Sequence, residues 1–357
     1  MEKYIIWRLA LLLFVAAVAS CPSAHAQLVI VPDFQSSITS DTNATTIEAT
    51  INTAISNIEG DISNPVTVYI DFGEMDSGLG SSNTTQYDIN YNTYLSALET
   101  GQTLSADDTK ALASLGLTAP YTSPNPTTNP VNGGTIIQTT GALIRAIGLG
   151  DLTDPSSPSD PDGTIQFNST LVDDSTGTPP NNEYSLESVV AHEMDEVLGI
   201  GGGGSQLNNV LGGGDSLSGG AVGPLDLFRY GSAGSRSYTT ALGPDPYFSI
   251  NGGSKNLDYF NQNGSTDDSD FGDWGNGITG AKAGNTPPQV QDAYGAPGTA
   301  PSLGPSEMTA LDVVGWNLST QGEELESVPE PSCAYLLLGG VMATGILRRR
   351  GAGYGET

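Results

Sequence analysis

The stretch VVAHEMDEVLGIG, residues 189–201, decides how this chain is read. Leu186, Val189, Val190, Val197 and Leu198 fall on one side of a helix that the spacing predicts over Glu183–Leu198. Gly199 ends it, as a glycine just past the last turn commonly does. His192 and Glu196 stand one turn apart, with Cβ atoms roughly 5–6 Å from each other, so both can reach one metal ion. Glu193 lies about 100° round the helix, near enough to serve a water on that ion. A carboxylate binds zinc at about 2.0–2.2 Å, so Glu196 is a legitimate partner for the imidazole. It donates more negative charge than a second imidazole would. The ion becomes a weaker Lewis acid, and harder cations become more competitive. The other reading of the same residues is an acidic surface helix whose lone histidine has no partner ion.

The chain of 357 residues has two histidines, His25 and His192. His25 falls in the N-terminal segment MEKYIIWRLALLLFVAAVASCPSAHA, residues 1–26, which reads as a signal peptide: Lys3 and Arg8, a short apolar run from Leu9 to Ala19, and an Ala24-His25-Ala26 cleavage site. A second reading puts a lipid on Cys21, within Val18-Ala19-Ser20-Cys21. At the other end, Pro329-Glu330-Pro331 precedes the apolar run Cys333–Leu347 and Arg348-Arg349-Arg350. The run is short for a membrane span, which takes about 17–25 residues. The three arginines beyond it fit an anchor with its basic end inside. The order of these features resembles the PEP-CTERM sorting signal of Gram-negative bacteria. That resemblance implies export, recognition by an exosortase-type enzyme, passing contact with the inner membrane, and a destination at the cell surface, in the matrix or in the medium. The expected organisation is thus a signal peptide at 1–26, one ectodomain at 27–327 with room for two lobes, the sorting signal at 328–350 and a tail at 351–357.

Charge narrows the partners. Of 11 Lys and Arg, five lie in the end segments. Of 40 Asp and Glu, only Glu2 and Glu356 do. Residues 27–331 therefore carry 6 basic and 38 acidic side chains, a net charge of −32. Such a surface repels nucleic acid and anionic lipid and attracts divalent cations. Both cysteines, Cys21 and Cys333, lie outside the ectodomain, so core packing or bound metal must hold it together.

The rest of the chain reads as a mixture of strands and helices. Leu28, Ile30 and Phe34 suit a strand. Ile47, Ile51, Ile55 and Ile58 form one apolar stripe on a helix at 45–59, with Asn43 or Thr45 as its cap. Val66–Phe72, β-branched and aromatic, reads as a second strand. Helices are expected at Tyr91–Leu98, Asp107–Leu115 and Thr139–Ile147, a proline-rich loop at 118–134 and a short strand at Gly163–Asn168. The glycine-rich segment 199–224 reads as a flexible loop. A final helix is expected over Ser306–Trp316. The fold class is α+β, with a mixed sheet, a site-bearing helix and glycine-rich loops.

With one histidine available, a third ligand must be a carboxylate or a tyrosine. Asp226, in LDLFRY, is the first choice: it follows the glycine-rich segment, and its apolar neighbours would bury it, which is costly without a cation. A salt bridge to Arg229 is the competing explanation, and Asp215 a second candidate. Asp267, Asp268, Asp270 and Asp273 crowd one turn-rich segment whose charge suits calcium, without the spacing of an EF-hand. Met308 suits either a turn beneath the metal or the core of the closing helix.

AHEMDEVLG, LDLFRY, YFSINGG, DFGDWG, VQDAYGAPG and EMTALDVVGW, in that order before a Pro-Glu-Pro tail, resemble a family of exported PEP-CTERM proteins described as zincin-like metalloproteases. Members of that family carry H-E-x-x-E in place of H-E-x-x-H. The resemblance spans the ectodomain and implies a zincin-type, metzincin-related fold. It also implies zinc or another divalent cation on His192 and Glu196, Glu193 as general base, and hydrolysis of a protein or peptide by a metal-activated water. That fold places the edge strand of the substrate groove just before the helix, here at Gly163–Asn168. Gly199 matches the metzincin glycine seven residues after the histidine. The chain departs from the pattern at Glu196 and again at Gly202, which stands where metzincins carry their third histidine. Those departures keep a second function open: a non-catalytic exported matrix or surface protein on a degenerate zincin scaffold.

Overall fold

The computed structural model describes residues 27–100, 104–121, 124–153, 156–211, 220–241, 245–262, 269–275, 277 and 288–327. The chain starts with strand β1 (Val29–Phe34), helix α1 (Ala44–Asp61) and strand β2 (Thr67–Glu74). The helix provides the long connection that a parallel strand pair needs. Its isoleucine stripe, Ile47, Ile51, Ile55 and Ile58, is buried as the spacing predicts. Asn43 sits at the helix start, yet its side chain bonds Asp174 at 3.0 Å instead of the helix.

Strand β3 (Gly80–Thr84) runs antiparallel to the later strand β6 (Gly163–Phe167), and the main sheet has the order β1-β2-β6-β3. β1, β2 and β6 are parallel, with Val29 opposite Thr67 and Ile70 opposite Gly163. The sheet is mixed, as expected, but Gly163–Phe167 lies inside it. The edge beside the site helix is Gly80–Thr84.

Between them, strand β4 (Gln86–Asn90) pairs with strand β5 (Ile136–Thr140) and flanks helices α2 (Tyr91–Thr100) and α3 (Ala106–Ser114). The helix expected at Thr139–Ile147 begins only at Gly141, as α4 (Gly141–Ala146), because Ile136–Thr140 is taken up in that strand pair.

Helix α5 (Leu186–Leu198) packs against α1, β3 and β6. Ser185 caps its start by accepting from the Ser188 N–H at 3.2 Å, and Gly199 ends it at φ 100°. The next residues are not a loose loop. They form a helical turn, α6 (Gly201–Gly204), folded back on α5 so tightly that a Cβ on Gly203 would stand 2.0 Å from the Glu196 carbonyl oxygen. A further short turn covers Leu207–Leu211, and 212–219, with Asp215, lie outside the described residues. A small antiparallel sheet follows, built from Arg229–Ser232, Ser235–Arg236, Tyr247–Phe248 and Asp258–Tyr259.

Helix α7 (Pro305–Val314) is buried along its length, Met308 included, and Met308 serves as core. Beyond it, the Trp316 indole donates to the Leu198 carbonyl at 2.9 Å and so satisfies one open carbonyl at the end of α5. A further helix, α8 (Thr320–Glu326), follows the one that the sequence suggested as the last. Among the described residues, no helix is long and apolar enough to cross a membrane. The signal peptide, Cys21, Pro329-Glu330-Pro331 and the apolar run after them lie outside the described residues.

Candidate metal centre

On α5, His192 and Glu196 face the same way, as their one-turn spacing requires. His192 Nε2 stands 3.9 Å from Glu196 Oε1 and 3.8 Å from Asp273 Oδ2. Ligand atoms of His192, Glu196 and Asp273 all lie within 4.8 Å of one another, which makes these three residues a group able to hold a metal ion. The imidazole is oriented from behind: Nδ1 lies 2.9 Å from the Val290 carbonyl oxygen. A proton on Nδ1 donated to that carbonyl leaves the Nε2 lone pair aimed into the group, the usual arrangement for a metal-ligating histidine.

Glu196 is held at both oxygens. Ser82 Oγ, on β3, donates to Oε2 at 2.5 Å, and the Gly202 N–H, on α6, donates to Oε1 at 3.0 Å. Asp273 comes from a distant segment and accepts from Gln291 Nε2 at 2.9 Å.

Glu193 is almost wholly buried beside this group and also lines its cavity. Burial, and then the charges of Glu196, Asp273 and Asp270, hold its carboxyl well above the usual range. Asp273 is raised in the same way, by burial and then by Asp270 and Glu196. Asp270 is pushed up to about 7 by burial and by Glu196. Four carboxylates thus crowd one imidazole. Among the described residues, the ion pairs of lysine and arginine are Lys110–Asp107 and Arg145–Asp162, both away from the centre. Unpaired buried carboxylates in such a cluster must either take up protons or share a cation. One oriented imidazole and two hydrogen-bonded carboxylates fit a divalent cation in number, charge and spacing.

The group opens onto a cavity of about 400 Å³, bordered by Leu79, Val189, Tyr184 and Tyr294 as well as by His192 and Glu193. That volume is within the range of small-molecule and side-chain pockets.

Of the residues singled out in the sequence, His192, Glu193 and Glu196 come together. Asp226 does not join them. Its carboxylate accepts from Ser205 Oγ at 2.7 Å, Gly223 N at 2.8 Å and Gln206 N at 2.9 Å. Those three donors supply what a buried carboxylate needs, so Asp226 ties together the two ends of the glycine-rich segment and needs no ion. Nor does it form an ion pair with Arg229. That guanidinium donates to Phe271 O at 2.6 Å, to Gln262 Oε1 at 2.6 Å and to Asn261 O at 3.2 Å. Asp273, which the sequence placed in a calcium-like cluster, takes the third position instead. Asp270 lies beside Glu196, while Asp267 and Asp268 lie outside the described residues. Sequence reasoning also missed Ser82 and Gln291, polar residues with no pattern of their own, and read Gly202 only as a lost ligand position, where its backbone N–H holds Glu196.

Searches against protein-family models, curated proteins and solved structures give no match.

Proposed function

We propose that this chain is an exported, metal-dependent peptidase of zincin type, with His192, Glu196 and Asp273 holding zinc or a similar divalent cation. The observation that carries the reading is the placement of Glu193. It is the residue next to a metal-ligating histidine, it lies beside the three-residue group, and it faces the one cavity onto which that group opens. A cation bound there supplies Lewis-acid activation of water and of the substrate carbonyl. Glu193 accepts a proton from the attacking water and returns it to the leaving amine. The Val290 carbonyl fixes the imidazole, while Ser82 and the Gly202 N–H fix Glu196, so the donors keep their orientation through the reaction. Gly78, Leu79 and Gly80, at the start of edge strand β3, border the cavity and give an extended peptide a place to begin pairing with that edge. The terminal segments support export and sorting to the cell surface, the matrix or the medium.

One observation favours a second reading, a structural metal site in a non-catalytic surface protein: two carboxylates and one imidazole make a less acidifying donor set than a histidine-rich one. Glu193→Gln separates the two. If Glu193 is the base, the variant keeps its metal and loses roughly 10²–10⁴-fold in the hydrolysis of a generic protein substrate. If the metal is structural, neither metal content nor stability changes, and the native protein hydrolyses nothing. A purified protein that binds no divalent cation sinks both.

A further inference from the structure

Gln291 lies closer to the centre than a bystander would, and it is completely buried. Its Nε2 is 2.9 Å from Asp273 Oδ1 and 3.4 Å from His192 Nε2. Its Oε1 is also buried and has no hydrogen-bond partner. Gly201 leaves room for the amide: a Cβ there would stand 2.2 Å from Gln291 Nε2 and 3.0 Å from Asp273 Oδ1. The Gln291 backbone is itself held, its N–H donating to Glu307 Oε1 at 3.2 Å.

Neighbouring donors on a five- or six-coordinate ion with bonds of about 2.0–2.2 Å stand roughly 2.8–3.8 Å apart, and that coordination keeps a position for water beside four protein donors. The end of the Gln291 side chain is within that separation of His192 Nε2, and it meets Asp273 at Oδ1, the partner of the Oδ2 that faces His192. We propose, resting on the metal reading above, that Gln291 is the fourth protein donor of the centre, binding the cation through Oε1 after a half-turn of its amide. The nitrogen faces Asp273 in the present arrangement because an N–H donates to a carboxylate, whereas a carbonyl oxygen would be repelled. A cation on His192 Nε2 and the Asp273 carboxylate takes one acceptor from the nitrogen, weakens the other by drawing charge from it, and offers the unpartnered oxygen a site. The charges also agree. Two carboxylates balance a divalent cation, so the remaining donors are neutral, an imidazole and an amide. Adding an amide oxygen to this set hardens it, which favours manganese relative to zinc more than three ligands alone would.

The test uses the full chain, with zinc and manganese as separate probes, dissociation constants from competition with a chelator, and the visible spectrum of the cobalt(II)-loaded protein. Gln291→Met keeps the bulk and removes the donor, and Gln291→Asn shortens the amide out of reach. Both should weaken binding at least 10–100-fold and alter the cobalt spectrum. Gln291→Glu keeps an oxygen in place and should bind at least as tightly as the native chain. Native affinity and an unaltered cobalt spectrum in Gln291→Met, or in Gln291→Asn should the first variant not fold, overturn the proposal. So does a loss in Gln291→Glu as large as in Gln291→Met, which would mark the amide N–H as the group that matters. His192→Ala binding as well as the native chain would instead remove the metal reading itself.

Discussion

Gly80 on β3 stands directly against Glu193 on α5: a Cβ added to Gly80 would come within 2.3 Å of Glu193 Oε1 and 2.9 Å of Val189 Cγ1. The edge strand therefore fixes where the carboxylate can be, and only a glycine permits that position. Gly80→Ala should push Glu193 off its line to the cavity while leaving His192, Glu196 and Asp273 in place. Because a displacement of about 1 Å at a reacting group can cost 10²-fold, peptide hydrolysis should fall by about that factor with metal affinity within a few-fold of native. Full activity in Gly80→Ala would show that Glu193 is not positioned by this contact.

Removing the ion should loosen the domain. A cation on the proposed His192, Glu196 and Asp273 site would bind only where α5 and the Asp273 segment are held together, and so would stabilise the folded state by mass action, about 2.7 kcal/mol at a hundredfold excess over its dissociation constant. Chelator should lower the melting temperature by several degrees, and His192→Ala should show the lower value with or without chelator. An unchanged melt in chelator would mean that no cation contributes to stability.

A second acidic cluster, away from the centre, sets a pH dependence. Asp108 on α3 and Asp312 on α7 are buried, and Ser105 Oγ donates to Asp312 Oδ2 at 2.6 Å. Burial raises Asp108 to about 6, and burial plus the charge of Asp108 raises Asp312 to about 8. Burial with the charges of Asp107 and Asp108 raises Glu326 to about 7. Each folded value lies above the unfolded one, near 4. The stability these groups contribute is then complete below about pH 4 and is lost as pH rises through 6 to 8. With metal kept saturating, the native melting temperature should fall between pH 5 and 8.5. Asp312→Asn should fall less and melt higher at pH 8.5. An equal slope in the two proteins would refute the assignment to this cluster.

Periodic burial was legible in the sequence, and long-range convergence was not. The isoleucines of α1 and the apolar side of α5 report burial directly, because one face of each meets the core. Gly199 reports a helix end because few other residues adopt its backbone angle. Gly80–Thr84 gave no strand signal: this GSSNT edge has Glu193 and Glu196 as neighbours, so it needs small and polar residues in place of alternating apolar ones. Asp226, between Leu225 and Leu227, carries a local signal of burial, and Asp273, between Gly272 and Trp274 in a turn-rich acidic segment, carries a weaker one. That signal announces burial without saying what compensates the charge. Asp226 receives backbone and serine donors, whereas Asp273 faces His192. Only the path of the chain between α5 and residue 273 separates them, and no local pattern encodes it.

That path depends on Arg229. Its guanidinium is wholly buried, holds the carbonyls of Phe271 and Asn261 and the Gln262 side chain, and lies 4.4 Å from the centre of the Phe260 ring. Phe271 is two residues before Asp273, so this fork anchors the segment that carries Asp273. Lysine keeps the charge but cannot reproduce the planar fork. Arg229→Lys should leave at least one of these buried acceptors unsatisfied, at about 1–3 kcal/mol each, and should let the Phe271–Asp273 segment shift. The expected result is a lower melting temperature together with a metal dissociation constant raised about 10-fold or more, as for other groups that orient ligands. If Arg229→Lys melts lower but binds metal with native affinity, the guanidinium supports the small sheet alone, and Asp273 is held in place by Gln291 and its own backbone.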